Sequence, residues 1–174
     1  TRLSRIIFDG PQEELTLTQN AQPALMAVSM AVVRVLEAEG GVKIGDVATF
    51  VAGHSLGEYS ALAAAGAIPL AETARLLRTR GEAMQAAVPV GVGAMAAILG
   101  PSLEAVEAIA TDAAEDQVCD VANDNSDGQV VVSGNTEAVE RAIEIAKERG
   151  AKRAMSLPVS APFHCSLLDP AADV

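Results

Sequence analysis

Val51-Ala52-Gly53-His54-Ser55-Leu56-Gly57-Glu58-Tyr59-Ser60 is the stretch on which the reading of this chain turns. It holds Gly-x-Ser-x-Gly, from Gly53 to Gly57, with Ser55 at its centre. A short apolar run, Val47 to Ala52, precedes it, and a helix-forming run, Leu56 to Ala65, follows. Strand, tight turn and helix in that order are the setting in which this pattern marks a nucleophile elbow. The glycines allow a sharp reversal that exposes the serine hydroxyl. The helix start behind Ser55 offers free N–H groups and a positive dipole end to an oxyanion.

Outward from the elbow, Gln19 to Gly40 reads as one long helix with Pro23 in its first turn. It is apolar nearly all round, which predicts burial against a sheet. Residues 1–17 read as a helix end and a loop. Val47 to Ala52 is expected to be a buried parallel strand. Ala71 to Ala87 forms the helix after the elbow helix and carries Arg75, Arg78 and Arg80.

From Val88 the pattern changes. Strands are predicted at 91–99, 118–122, 129–133 and 151–159, with helices from Ser102 to Asp116 and from Asn135 to Arg149 and a turn over 123–128. The order β-α-β-β-α-β is that of the ferredoxin-like split βαβ unit. The expected fold is therefore α/β. A hydrolase-like parallel-sheet core, incomplete here, spans 1–85 and 161–174, and a ferredoxin-like subdomain is inserted at 86–160.

Composition narrows the function classes. Half of the 174 residues are hydrophobic but aromatics make up only 2%, so the core must be aliphatic. The net charge of −11 argues against nucleic acid or an acidic membrane surface as main partner. Cys119 and Cys165 fit no metal or CxxC spacing, which points to a reduced, cytoplasmic setting and no metal. No apolar run of about 18 residues is free of charges. The chain opens at Thr1 and closes at Val174, and both ends read as cut.

A serine nucleophile needs a base. His54 adjoins Ser55, and consecutive side chains at an elbow point apart. His164, where the chain re-enters the core, is the better candidate by elimination; the alternative is that both are ordinary loop histidines. Lys147, Arg149, Lys152 and Arg153 cluster near a helix end, either as a docking surface for an acidic partner or as a solvated dipole complement. Asn123 and Asn125 either face the cleft or serve turn chemistry.

Gly-His-Ser-Leu-Gly-Glu-Tyr-Ser-Ala-Leu at 53–62, Arg-Gly-Glu-Ala-Met-Gln at 80–85, Gly-Ala-Met-Ala-Ala-Ile at 93–98, Asn-Asp-Asn-Ser-Asp-Gly-Gln-Val-Val-Val-Ser-Gly at 123–134 and Val-Ser-Ala-Pro-Phe-His-Cys at 159–165 resemble the malonyl-CoA:acyl carrier protein transacylases of type II fatty acid synthesis. The resemblance implies an acyltransferase that moves malonyl from coenzyme A to the phosphopantetheine thiol of acyl carrier protein through a malonyl-serine. It implies Ser55 as nucleophile, His164 as base and Arg80 as the reader of the malonyl carboxylate. It also implies the Leu56 N–H as an oxyanion donor, with the Leu56 side chain and Phe163 bordering the acyl pocket. A bulky Phe163 favours malonyl over methylmalonyl. No cofactor is implied, since the coenzyme A thioester is a substrate, and a monomer is expected. Two features of the family pattern are absent: the opening strand with Gly-Gln-Gly-Ser-Gln, which supplies the second oxyanion donor, and the later stretch that orients the histidine. The 174 residues thus resemble the middle of such an enzyme. Rival readings are the acyltransferase domain of a polyketide or fatty acid synthase, a serine esterase or thioesterase, and a non-catalytic binding module.

Overall fold

A computed structural model describes residues 2–174. The chain divides into two compact units, 1–82 and 83–174.

The first unit is helical. Its elements are α1 (Leu3–Asp9), α2 (Gln12–Thr16), α3 (Thr18–Ala38), α4 (Ile44–Val47), α5 (Gly57–Ala64) and most of α6 (Leu70–Ala87). In place of the helix end and loop expected over 1–17 stand two short helices, and α3 starts one residue ahead of the expected Gln19, which puts Pro23 in its second turn. A proline inside a helix cannot donate to the carbonyl four residues back. That carbonyl belongs to Gln19, and Arg78 Nη1 donates to it at 3.2 Å, and to Asn20 Oδ1 at 2.8 Å. At the same crossing Gly81 lets α6 approach α3, because a Cβ there would lie 2.6 Å from Gln19 Cα.

Two expectations for this unit fail. Val47 to Ala52 forms no strand: Val47 ends α4 and the following residues are irregular up to the elbow. Nor does α3 pack on a sheet. Its Gln22, Pro23, Met26 and Met30 are buried, while Leu25, Val28, Val32, Val35 and Leu36 form an exposed apolar stripe at helical spacing. The reason is common to both. A parallel strand needs neighbours for its N–H and C=O groups, and all strands among the described residues lie in the second unit. Helix α3 is long and apolar enough, by length and composition, to cross a membrane. It nevertheless carries an Arg34–Glu37 ion pair and buries Thr18, Asn20 and Gln22.

The second unit runs β1 (Gly93–Leu99), α7 (Leu103–Ala114), β2 (Cys119–Ser126), β3 (Gln129–Asn135), α8 (Thr136–Glu148), β4 (Arg153–Ser156), a 3-10 turn at Ser166–Leu168 and α9 (Asp169–Ala172). The predicted β-α-β-β-α-β order is present. The sheet order is β2-β3-β1-β4 and every pairing is antiparallel. Ser102 caps α7 by accepting from the Ala105 N–H at 3.4 Å. The Asn135 side chain makes no helix cap; its Oδ1 accepts from the Val118 N–H at 2.9 Å.

The turn expected over 123–128 is a correction. Asn123, Asp124 and Asn125 lie in β2, which reaches β3 through two register shifts, and only Asp127-Gly128 makes the turn. Pairing of Asn123 with Val131 and of Asp124 with Val130 overrides turn propensity, and the bulges absorb the mismatch. β4 is shorter than expected and ends ahead of Pro158, which has no N–H for a ladder.

One face of this sheet carries the core. Ala96, Ile98, Val130 and Val132 meet Val106, Ile109, Ala110 and Ala113 of α7 and Ala138, Val139, Ala142 and Ala146 of α8. Alanines on both helices let them sit close to the strands.

Candidate active site

Ser55 sits where the chain enters α5. Its φ is +51°, a left-handed conformation uncommon for a residue with a Cβ. Such a backbone costs about 1–3 kcal/mol and persists only where its surroundings enforce it. The two glycines of the elbow do different work. A Cβ on Gly53 would fall 1.9 Å from the Gly57 carbonyl carbon, so Gly53 is required by contact, whereas a Cβ on Gly57 would meet open space. Backbone bonding at the helix start begins with the Gly57 N–H on the His54 carbonyl at 2.8 Å and the Glu58 N–H on the Ser55 carbonyl at 3.1 Å. Leu56 stands one residue ahead of that series, as the N-cap.

Arg80 reaches the elbow from α6. Its Nη2 donates to Ser55 Oγ at 3.2 Å and its Nη1 donates to Gln22 Oε1 at 2.5 Å. The guanidinium also lies 5.9 Å from the centre of the Tyr59 ring, within cation–π range. Gln22 is buried, and its Nε2 donates to Thr18 Oγ1 at 2.8 Å. A relay Thr18–Gln22–Arg80–Ser55 therefore runs from α3 through α6 to the elbow. Sequence reasoning missed Thr18, Gln22 and Tyr59. The available signal was a polar stretch, Thr18-Gln19-Asn20-Ala21-Gln22, opening an otherwise apolar helix, with Thr18 and Gln22 one turn apart. Arg78 is committed to Gln19, Asn20 and Glu82, and Arg75 is exposed.

The structure thus brings Ser55, Leu56 and Arg80 together in the first unit. The Leu56 side chain is partly buried against Met26, Met30 and Leu77, the small core of that unit. His54 is exposed.

His164 and Phe163 belong to the second unit. His164 is exposed and, like Ser55, has a positive φ, +59°. Phe163 packs partly against Met84, Val88 and Leu168. Cys165, next to His164, is a conceivable rival nucleophile. Burial pushes its thiol pKa up, and burial pushes that of Cys119 up to about 11, with the Asp120 charge adding to both. Both are free thiols held protonated near neutral pH, and the thiolate is the reactive form. Among the described residues no group of three or more His, Cys, Asp or Glu is placed to hold a metal ion.

Of the basic cluster, Lys147 pairs with Glu144 at 2.8 Å and Arg149 with Asp112. The solvated-helix-end reading therefore accounts for these two. Asn123 and Asn125 serve as strand residues.

Residues 1–174 match the family described as "Acyl transferase domain". The chain is 51% identical, over 174 residues, to the malonyl CoA-acyl carrier protein transacylase of Bacillus subtilis (strain 168), covering 99% of this chain and 53% of that protein. It resembles the crystal structure of acyl-carrier-protein-S-malonyltransferase from Bartonella henselae with a TM-score of 0.91 and 60% identity, over 99% of this chain and 55% of that one. It also resembles a malonyl-transacylase solved in complex with its type II PKS acyl-carrier protein, with a TM-score of 0.90 and 47% identity, over 98% of this chain and 54% of that one. The chain spans about half the length of the curated relatives it matches.

Proposed function

The chain belongs to the acyl transferase domain family, and from that premise we propose that it carries the reacting groups of an enzyme moving malonyl from coenzyme A to the phosphopantetheine thiol of acyl carrier protein. The observation that carries this reading is the 3.2 Å contact between Arg80 Nη2 and Ser55 Oγ. It sets a fixed cation beside a hydroxyl displayed on a strained turn. A plain esterase has no use for a guanidinium at the nucleophile. A substrate with a second carboxylate does, because Arg pairs with carboxylates through two parallel bonds.

In the proposed reaction His164 takes the Ser55 proton and Ser55 Oγ attacks the malonyl thioester carbonyl. The oxyanion rests on the Leu56 N–H and on a second donor from the remainder of the enzyme. The carbon–sulfur bond breaks, coenzyme A leaves as the thiol with the proton from His164, and malonyl-serine remains. Its carboxylate is held by Arg80, whose other end is anchored by Gln22. The carrier thiol then attacks the ester, with His164 accepting the thiol proton and returning it to Ser55. Phe163 borders the acyl group and favours malonyl over a 2-methyl homologue, a difference of about 1–3 kcal/mol. No cofactor enters this chemistry.

For the whole protein we propose a hydrolase-like core over 1–85 and 161–174, in which 47–52 joins a parallel sheet, with a ferredoxin-like subdomain inserted at 86–160. The antiparallel order β2-β3-β1-β4 supports the second part of that division. A cytoplasmic monomer is the accompanying reading.

The test is mass spectrometry of the protein, as its gene encodes it, after exposure to malonyl-CoA. A malonyl adduct on the peptide holding Ser55 is expected, and its persistence in Ser55→Ala sinks the assignment. Arg80→Ala is expected to cost malonyl loading far more than acetyl loading, and equal losses would contradict its role. Transfer to a carrier thiol rather than release of free malonate separates this reading from an esterase.

A further inference from the structure

The loop that carries His164 is tied at both ends by side chains outside it. Upstream, Gln85 Nε2 on α6 donates to the Ser160 carbonyl at 3.2 Å. Downstream, one oxygen of Asp120, Oδ2, accepts from both the Ser166 N–H at 2.8 Å and the Ser166 hydroxyl at 2.9 Å. Between these ties the Cys165 thiol donates to the Pro162 carbonyl at 3.2 Å, and the Leu168 N–H donates to the Cys165 carbonyl at 3.0 Å.

The sheet explains why Asp120 can reach. Asp120 pairs with Ser133, which pairs in turn with Met95, so these three side chains share one face. Their neighbours Ala96 and Val132 face the helices in the core. Asp120 therefore projects from the face away from α7 and α8. On that side a Cβ on Gly93 would meet the Pro162 ring at 2.3 Å, which sets the His164 loop directly against the sheet. The double acceptance fixes a backbone N–H and its own side chain at once. It pins the chain two residues beyond a non-glycine residue with a φ of +59°. A left-handed residue keeps that conformation only while its flanks hold it.

We propose that Asp120 is a positioning residue for His164: through Ser166 it holds the left-handed backbone from which the base presents its ring, and Gln85 secures the other flank. The proposal rests on His164 being the base of the reaction above. Asp120 acts by acceptor geometry and touches neither substrate nor the reacting atoms.

The experiment measures the rate of malonyl-Ser55 formation in single turnovers, with the protein as its gene encodes it, across a range of malonyl-CoA concentrations. Asp120→Ala is expected to slow acylation by about 10–100-fold, with half-saturation unchanged. Asp120→Asn keeps an acceptor at the same place without the charge and is expected to recover to within about threefold of the parent. A parent-like rate in Asp120→Ala overturns the proposal. So does an Asp120→Asn variant as slow as Asp120→Ala, since the charge rather than the geometry would then be at work. If Asp120→Ala does not fold, Ser166→Ala takes its place, losing only the hydroxyl arm at an exposed position. A slowing of about 3–10-fold is expected there, and no slowing overturns the proposal. His164→Ala is the control for the underlying reading: if it acylates like the parent, His164 is not the base, whatever Asp120 does.

Discussion

The two units solve the burial problem to different degrees. In the second, two helices close one face of a four-stranded sheet and Ile98, Val106, Ile109 and Val130 are fully buried. In the first, Met26, Met30 and Leu77 form a small core, while Phe8, Val32, Val47 and Phe50 are more exposed than buried. Yet the first unit holds the better-defined chemical site, built from polar contacts between helices. Precise placement of a few polar groups and burial of a large apolar area are thus separable here. The relay from Thr18 to Ser55 needs two helices crossing closely, not a completed sheet.

The contrast can be broken first at the cores. Ile98→Ala is expected to cost about 2–5 kcal/mol, and Val32→Ala, at a position 56% exposed, to stay within about 0.5 kcal/mol. Denaturant unfolding of the 174-residue chain measures both, and equal losses would erase the distinction. Next comes the helix crossing. Gly81→Ala drives a Cβ into the Gln19 backbone, so a loss of about 1–3 kcal/mol is expected. Malonyl loading should fall with it, because Arg80 is displaced from Ser55; unchanged loading would show that the crossing does not set the site.

The two left-handed residues, one in each unit, sharpen the comparison further. Glycine relieves the backbone at either position, so Ser55→Gly and His164→Gly are each expected to gain up to about 1 kcal/mol while acyl transfer is lost. A melting temperature lowered in both would remove strain from the account. The last effect concerns Cys119 and appears only at alkaline pH. Burial pushes its pKa from the ordinary thiol value of 9.0 up to about 11, so the folded state holds its proton longer than the unfolded chain. Stability from this source is present below pH 9, declines between pH 9 and about 11, and changes no further above that. Comparing alkaline melts of the parent and Cys119→Ala isolates the slope.

What could be read from the sequence follows the range of the interactions. The elbow at Gly53–Gly57 and helices α3, α5, α6, α7 and α8 announce themselves through local residues, because capping, glycine sterics and periodicity act within a few positions. The run 47–52 carries the same local signal as a strand and forms none, since pairing is non-local. Asn123–Asn125 fail in the other direction: a turn composition becomes a strand because Val131 and Val130 stand opposite Asn123 and Asp124. At the site, Ser55 is legible by motif. The Gln22–Arg80 bond joins positions 58 apart and no pattern of spacing anticipates it.

Pro23 leaves the Gln19 carbonyl without its helical donor, and Arg78 fills that place from another helix. The two positions are therefore not independent in inheritance. A lineage can replace Pro23 first, since the restored N–H takes over the Gln19 carbonyl and Arg78 becomes dispensable there. The reverse order passes through a chain with a stranded carbonyl beside Gln22 and Arg80. Substitutions at 23 and 78 should accordingly accumulate in one direction only, and an arginine at 78 beside a non-proline at 23 marks the halfway point.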